Sequence, residues 1–342
     1  MSELISQVPE HFQNYIIEAE ESHQVAKNHD AFEDIKSKSR ERIKESDATL
    51  MENARTLMGH KEYQLAISLL RSVLSRSPYF APAIRRIGVC HRELGRLDHA
   101  LKCFQVLVKA ETSSENLILL ADAFYIMERD QEAMKVYQTA LMDVNIPMNA
   151  LFNVYKNLGN IFVRMRDFET AEEYYHKAFS INADSDILLV NYGTLEIQRE
   201  NLEKALRYFR EAIVKNSEND RAWVGLSLVH RHMGDFELSH ANIERSLDIN
   251  PKNRTALKLL VEWGVCDFKY ANVIERLQEY LGLESEDTEM SFTLAKIFAH
   301  LNRLDEAQIE MQRVLALDSE IPGAQQLAKA IREAKISEVA RR

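Results

Sequence analysis

The sequence predicts an all-α fold, a solenoid of about eight helix-turn-helix repeats closed by a C-terminal capping helix. Three observations carry that prediction. Small residues recur at Ala66, Ala100, Ala133, Ala171, Ala205, Ser239, Val273 and Ala307, mostly 34 residues apart. Four residues after each comes a large apolar one, Leu70, Phe104, Tyr137, Tyr175, Phe209, Ile243, Leu277 and Met311, on the same helix face. Twelve residues before each lies a second, mostly small column: Ala54, Gly88, Ala121, Gly159, Gly193, Ser227, Val261 and Ala295. Small residues at two facing points let paired helices approach closely while the large ones fill the gaps beside them. With 10 glycines and 6 prolines in 342 residues, the chain also lacks the turn set of a β-rich fold.

Residues 1–46 lie outside the period and form a charged extension with six basic and ten acidic residues. Val8, Phe12, Tyr15, Ile16 and Ala19 make an apolar stripe if that segment is helical, and the stripe is expected to dock on the array. The array spans residues 47–319. Its turns read "ELGRLDHA", "RMRDFETA", "QRENLEKA", "HMGDFELS" and "HLNRLDEA", short polar links between antiparallel helices. Prolines in "SRSPYFAP" and "DINPKNR" mark seams where a helix must stop. An insertion, "VNIPMNAL" at 144–151, lengthens a helix or loop before the fourth unit. The seventh unit, "EWGVCDFKYANVIERL", departs most from the pattern. Val273 takes the small position there and Gly264 an apolar one, so overpacking makes this unit the expected soft point. Residues 320–342 place Leu327, Ile331 and Ala334 at helical spacing, as in a capping helix.

The stretches "NVYKNLGNIFVRMRDFETAEEYYHKAFSIN" and "AWVGLSLVHRHMGDFELSHANIERSLDINP" resemble the tetratricopeptide repeat (TPR) family. The resemblance covers roughly residues 47–319. It implies a right-handed superhelix whose inner face is lined by the first helix of each hairpin. In units four to six the implied inner residues are Lys156, Asn157, Asn160, Arg164, Asn191, Thr194, Gln198, Arg221, Arg231 and His232. Four of these are permanently basic and none is acidic, in a chain of formal net charge −10. Lys156, Asn160, Asn191 and Arg221 also resemble the carboxylate clamp with which some TPR domains hold acidic peptide ends. Cations attract the carboxylate, and asparagine amides bond to it or to the backbone. The family pattern wants a further cation where this chain has Gly225, which favours a general acidic-peptide groove over a strict tail receptor. Arg85, Arg86 and Arg92 form a second basic group, near Glu93 and Asp122.

Other classes find little support. The acidic balance disfavours general nucleic-acid or anionic-membrane binding. Cys90, Cys103 and Cys266 are odd in number and show no CxxC spacing, so neither disulfides nor zinc is expected. His230, His232 and His240 have no ligand set around them, and their spacing spreads them over the helix surface. No phosphate loop, HExxH or GxSxG motif occurs, and no long apolar run or basic leader is present. The expectation is a non-catalytic, cofactor-free scaffold in the cytoplasm. It would bind another protein or a peptide segment with acidic groups, within a signalling, motility or assembly complex. The alternative is a co-chaperone-like receptor for acidic C-terminal tails.

Overall fold

The computed structural model describes residues 45–341, and all regular structure among them is helical. The N-terminal stripe from Val8 to Ala19 lies outside the described residues. The described residues divide into two compact units, one ending at Asn182 and the other beginning at Ala183.

The first unit holds four hairpins: α1 (Glu45–Gly59) with α2 (Tyr63–Leu74), α3 (Ala81–Glu93) with α4 (Leu97–Ala110), α5 (Ser114–Ile126) with α6 (Asp130–Ala140), and α7 (Met148–Arg164) with α8 (Phe168–Ile181). The second holds α9 (Asp186–Gln198) with α10 (Leu202–Lys215), α11 (Asp220–His232) with α12 (Phe236–Ile249), α13 (Arg254–Cys266) with α14 (Tyr270–Leu283), and α15 (Thr288–His300) with α16 (Leu304–Leu317). A last helix, α17 (Ala324–Arg341), buries Ala324, Ala328 and Ile331 against its unit and leaves Lys329, Arg332 and Glu333 exposed. Within each unit this is the all-α class of successive helix-turn-helix hairpins that the period predicts.

Packing follows the residue columns. Every member of the Ala66-to-Ala307 column is fully buried, and its large partner four residues on is at most 2% exposed. A methyl group added at Gly88 would lie 2.5 Å from the Phe104 ring, and at Gly159 2.3 Å from the Tyr175 ring, too close for any real carbon. The glycine of the first helix is therefore the seat of the large residue of the second. The insertion before the fourth hairpin tucks in Ile146 (9% exposed) and leads into α7, at 17 residues four longer than α5.

Each hairpin turns through one residue in the left-handed region: Lys61, Gly95, Glu128, Arg166, Glu200, Gly234, Phe268 and Asn302. These positions repeat with the same spacing as the small column. Only two are glycine, and a non-glycine residue there is tolerated at some cost. Helix starts are capped by side chains: Ser113, Ser185, Asn219, Asn253 and Asp287 on first helices, and Asp167, Asn201 and Asp235 on second helices.

In the second unit, seams are tied by asparagine pairs. Asn216 and Asn219 both donate to Asp186 (2.7 and 2.8 Å), and one repeat later Asn250 and Asn253 donate to Asp220 (2.7 and 2.9 Å). At the next seam the polarity inverts, with Arg254 donating to the capping carboxylate of Asp287 (3.0 Å).

In the seventh hairpin the two departures from the pattern meet in one place. Val273 is fully buried, and a methyl group at Gly264 would fall 2.3 Å from its Cγ2. The two departures from the pattern compensate: the larger side chain on α14 occupies the space vacated on α13.

Candidate functional site

In the first unit the candidate residues sit on α7. Lys156 is half-buried, its ammonium donating to Asn153 Oδ1 (3.0 Å) and lying 5.9 Å from the Phe152 ring centre. Asn157 faces inward. It is 9% exposed, and its amide donates to Asp122 Oδ1 (3.1 Å) and to the Tyr137 hydroxyl (3.0 Å). Tyr137 in turn donates to Asp122 Oδ1 (2.5 Å). Burial raises the Asp122 carboxyl above its usual range, while the bonds from Tyr137 and Asn157 and the charges of Arg92 and Lys156 oppose that rise. Tyr137, desolvated beside this carboxylate, is pushed well above the ordinary phenol value.

Asn160, one turn on, is held between two tyrosines: it accepts from Tyr175 (2.7 Å) and donates to Tyr125 (2.8 Å). Arg164 makes a two-pronged pair with Asp130 (3.0 and 2.5 Å) over the Tyr125 ring, which raises the guanidinium pKa further. Of these four residues, then, one is a core amide, one bridges tyrosines and one is ion-paired.

In the second unit, α9 carries Asn191, Thr194 and Gln198. Asn191 is half-buried, and its Nδ2 is buried without a hydrogen-bond partner. The Thr194 hydroxyl donates to the Val190 carbonyl (3.0 Å), and Gln198 is exposed. On the neighbouring α11, Arg221 is exposed, and among the described residues no carboxylate pairs with it. Arg231 pairs with Asp267 (2.6 Å) and lies over the Phe236 and Trp263 rings (4.5 and 5.2 Å). His240 also bonds Asp267, Nε2 to Oδ2 at 2.8 Å, and the two partners hold that carboxyl down at about 2. His232 is exposed, with Nδ1 2.7 Å from the Leu228 carbonyl.

Gly225 has a physical cause. A Cβ there would meet the Phe209 ring at 2.2 Å, and one at Gly193 would meet the same ring at 2.7 Å. Phe209 is thus wedged between two consecutive first helices, and its ring occupies the room that a clamp cation at 225 would need.

The carboxylates that neutralise Arg164 and Arg231 come from neighbouring hairpins. Sequence reasoning within a single helix missed them. A search for opposite charges about one repeat apart would have found both, since Arg164 and Asp130 are 34 residues apart and Arg231 and Asp267 are 36. Among the described residues no three His, Cys, Asp or Glu side chains converge as a metal site, and no helix is long and apolar enough to cross a membrane.

The sequence model of the tetratricopeptide repeat family matches residues 156–220 and 191–254. Similar proteins include the BBSome complex member BBS4 of Bos taurus, 20% identical over 200 residues, 58% of this chain and 37% of that protein. Anaphase-promoting complex subunit 3 of Schizosaccharomyces pombe is 23% identical over 299 residues, 80% of this chain and 42% of its own length. The chain thus spans less than half the length of these two curated relatives. Among solved structures, a repeat protein from Parabacteroides merdae superposes with a TM-score of 0.51 at 16% identity, covering 84% of this chain and 100% of that one.

Proposed function

From the premise that the chain is a tetratricopeptide-repeat protein, we propose that it is a non-catalytic interaction scaffold in a cytoplasmic signalling, motility or assembly complex. Its first-helix faces hold partner segments bearing acidic groups. The observation that carries this reading is the state of the cations. Arg164 and Arg231 already have carboxylate partners, but Arg221 has none among the described residues, and on the adjoining α9 Asn191 keeps a buried N–H group with no acceptor. An incoming carboxylate supplies what the exposed Arg221 lacks. The names of the two relatives, each a member or subunit of a complex, support an assembly role for repeats of this kind.

The test uses the full chain and short fluorescein-labelled peptides in which Asp and Glu alternate with Leu. Arg221→Glu weakens their binding at least about tenfold, equivalent to about 1.4 kcal/mol, and added salt weakens the unmodified chain's binding as well. Undiminished affinity of Arg221→Glu at low salt refutes the assignment. Peptides with free and amidated C-terminal ends bind alike if internal segments are the partners. Dependence on a free end would favour the tail-receptor alternative, against which the Phe209 ring beneath Gly225 argues.

A further inference from the structure

At the turn of the seventh hairpin the second unit carries a side chain that packing does not explain. Of the eight left-handed turn residues, two are glycine and five are polar or charged, whereas Phe268 is large and apolar. Its φ is 57° and it is 80% exposed, so a bulky residue sits in a disfavoured conformation with its ring in solvent. Backbone cost retained without burial is a mark of a working surface.

The ring borders an open groove of about 430 Å³ between α12 and the start of α14, lined by His240, Glu244, Phe268, Lys269 and Tyr270 among others. Tyr270 meets Phe268 edge-on, with ring centres 6.3 Å apart, and its hydroxyl lies 3.2 Å from His300 Nε2. Glu244 gives one carboxylate oxygen to Arg276 (2.7 Å), and its other oxygen, Oε1, is buried with no donor. Arg276 is shared with Asp248 and Glu279, so three carboxylates surround one guanidinium beside the groove. Lys269, exposed, also lines the groove.

We propose that this groove docks a polypeptide segment of a second protein in which a basic side chain neighbours a large apolar one. The basic group is drawn by the carboxylates of Glu244, Asp248 and Glu279, which outnumber the one guanidinium they share. The apolar side chain covers the Phe268 ring and removes from water the surface that makes the turn costly. This surface lies on the turn side of the hairpins and does not depend on the acidic-segment face of α9 and α11.

The probe is a displayed random peptide library selected on the full chain and counter-selected on Phe268→Asn, a variant that copies the turn residue Asn302 of the next hairpin. Surviving peptides are expected to place Arg or Lys beside Leu, Ile or Phe. They should bind the unmodified chain at least about tenfold more tightly than either Phe268→Asn or Glu244→Gln. They should also shift the emission of an environment-sensitive dye on Cys266, the exposed thiol two residues before Phe268, since Cys90 and Cys103 are buried. Phe268→Asn keeps or raises the melting temperature if the ring serves a partner. The proposal is overturned if no peptide separates the unmodified chain from Phe268→Asn, if the selected peptides lack basic residues, or if Phe268→Asn lowers the melting temperature as a packing residue would.

Discussion

The compensation between Gly264 and Val273 predicts strong energetic coupling, which a double-mutant cycle measures. Val273 is fully buried, so Val273→Ala removes two methyl groups worth about 0.8 kcal/mol each. With the cavity term, the cost is about 2 kcal/mol. Gly264→Ala alone places a carbon 2.3 Å from Val273 Cγ2. Overpacking of that kind costs roughly 1–3 kcal/mol, and the better helix propensity of alanine returns about 1 kcal/mol. In the double variant the new methyl enters the space that Val273 leaves, the clash disappears and the propensity gain remains, so the pair costs about 1 kcal/mol. The double variant should therefore be about 1–3 kcal/mol better than the sum of the singles, a coupling well above that of independent sites. Repeat arrays need not unfold in one step, so the assay is native-state hydrogen exchange of amides in α13 and α14, with urea unfolding alongside. Additive single effects would show that the two residues do not share one space.

Two further outcomes follow from single residues. Ser239 stands in a column otherwise filled mostly by alanine, and its hydroxyl is buried without a partner; Ser239→Ala should stabilise the chain by about 1 kcal/mol, measured as a higher urea midpoint. The Asp267 carboxyl is held at about 2 by Arg231 and His240, below the unfolded value near ~3.9. Its contribution is thus fully present above pH ~4 and is lost as pH falls toward ~2. Asp267→Asn should flatten the urea midpoint across that window, and an unchanged slope would contradict the pairing.

The helical period and the core were legible because they repeat: the two small columns and the large column recur at nearly constant spacing, and helix pairing needs all three. The turns were less so. Gly95, Gly234 and Asn302 advertise a left-handed residue, but Lys61, Glu128, Arg166, Glu200 and Phe268 do not, because tertiary context fixes their backbone. The site was legible as a set of positions and not as a set of charges. The spacing of Lys156, Asn160, Asn191 and Arg221 says which helices carry them. Whether a cation is free depends on acids a repeat away, as Asp130 and Asp267 demonstrate. That Gly264 and Val273 share one space was not legible for the same reason, since each was judged against its own column and the two were not judged against each other.

The wedging of Phe209 also limits how this chain can change. A cation at position 225 is a single substitution away in sequence, yet with the ring 2.2 Å from where its Cβ would stand, that first step meets a clash. Residue 209 would have to shrink beforehand. Shrinking it alone empties a fully buried site between α9, α10 and α11, at about 3–5 kcal/mol if the ring is replaced by a methyl. Neither order offers an intermediate as stable as the present chain. The second unit is thereby kept on its present side of a mutational valley, and a lineage that carries this phenylalanine evolves new specificities more readily at its rim, in residues such as Arg221 and Gln198, than by rebuilding the floor.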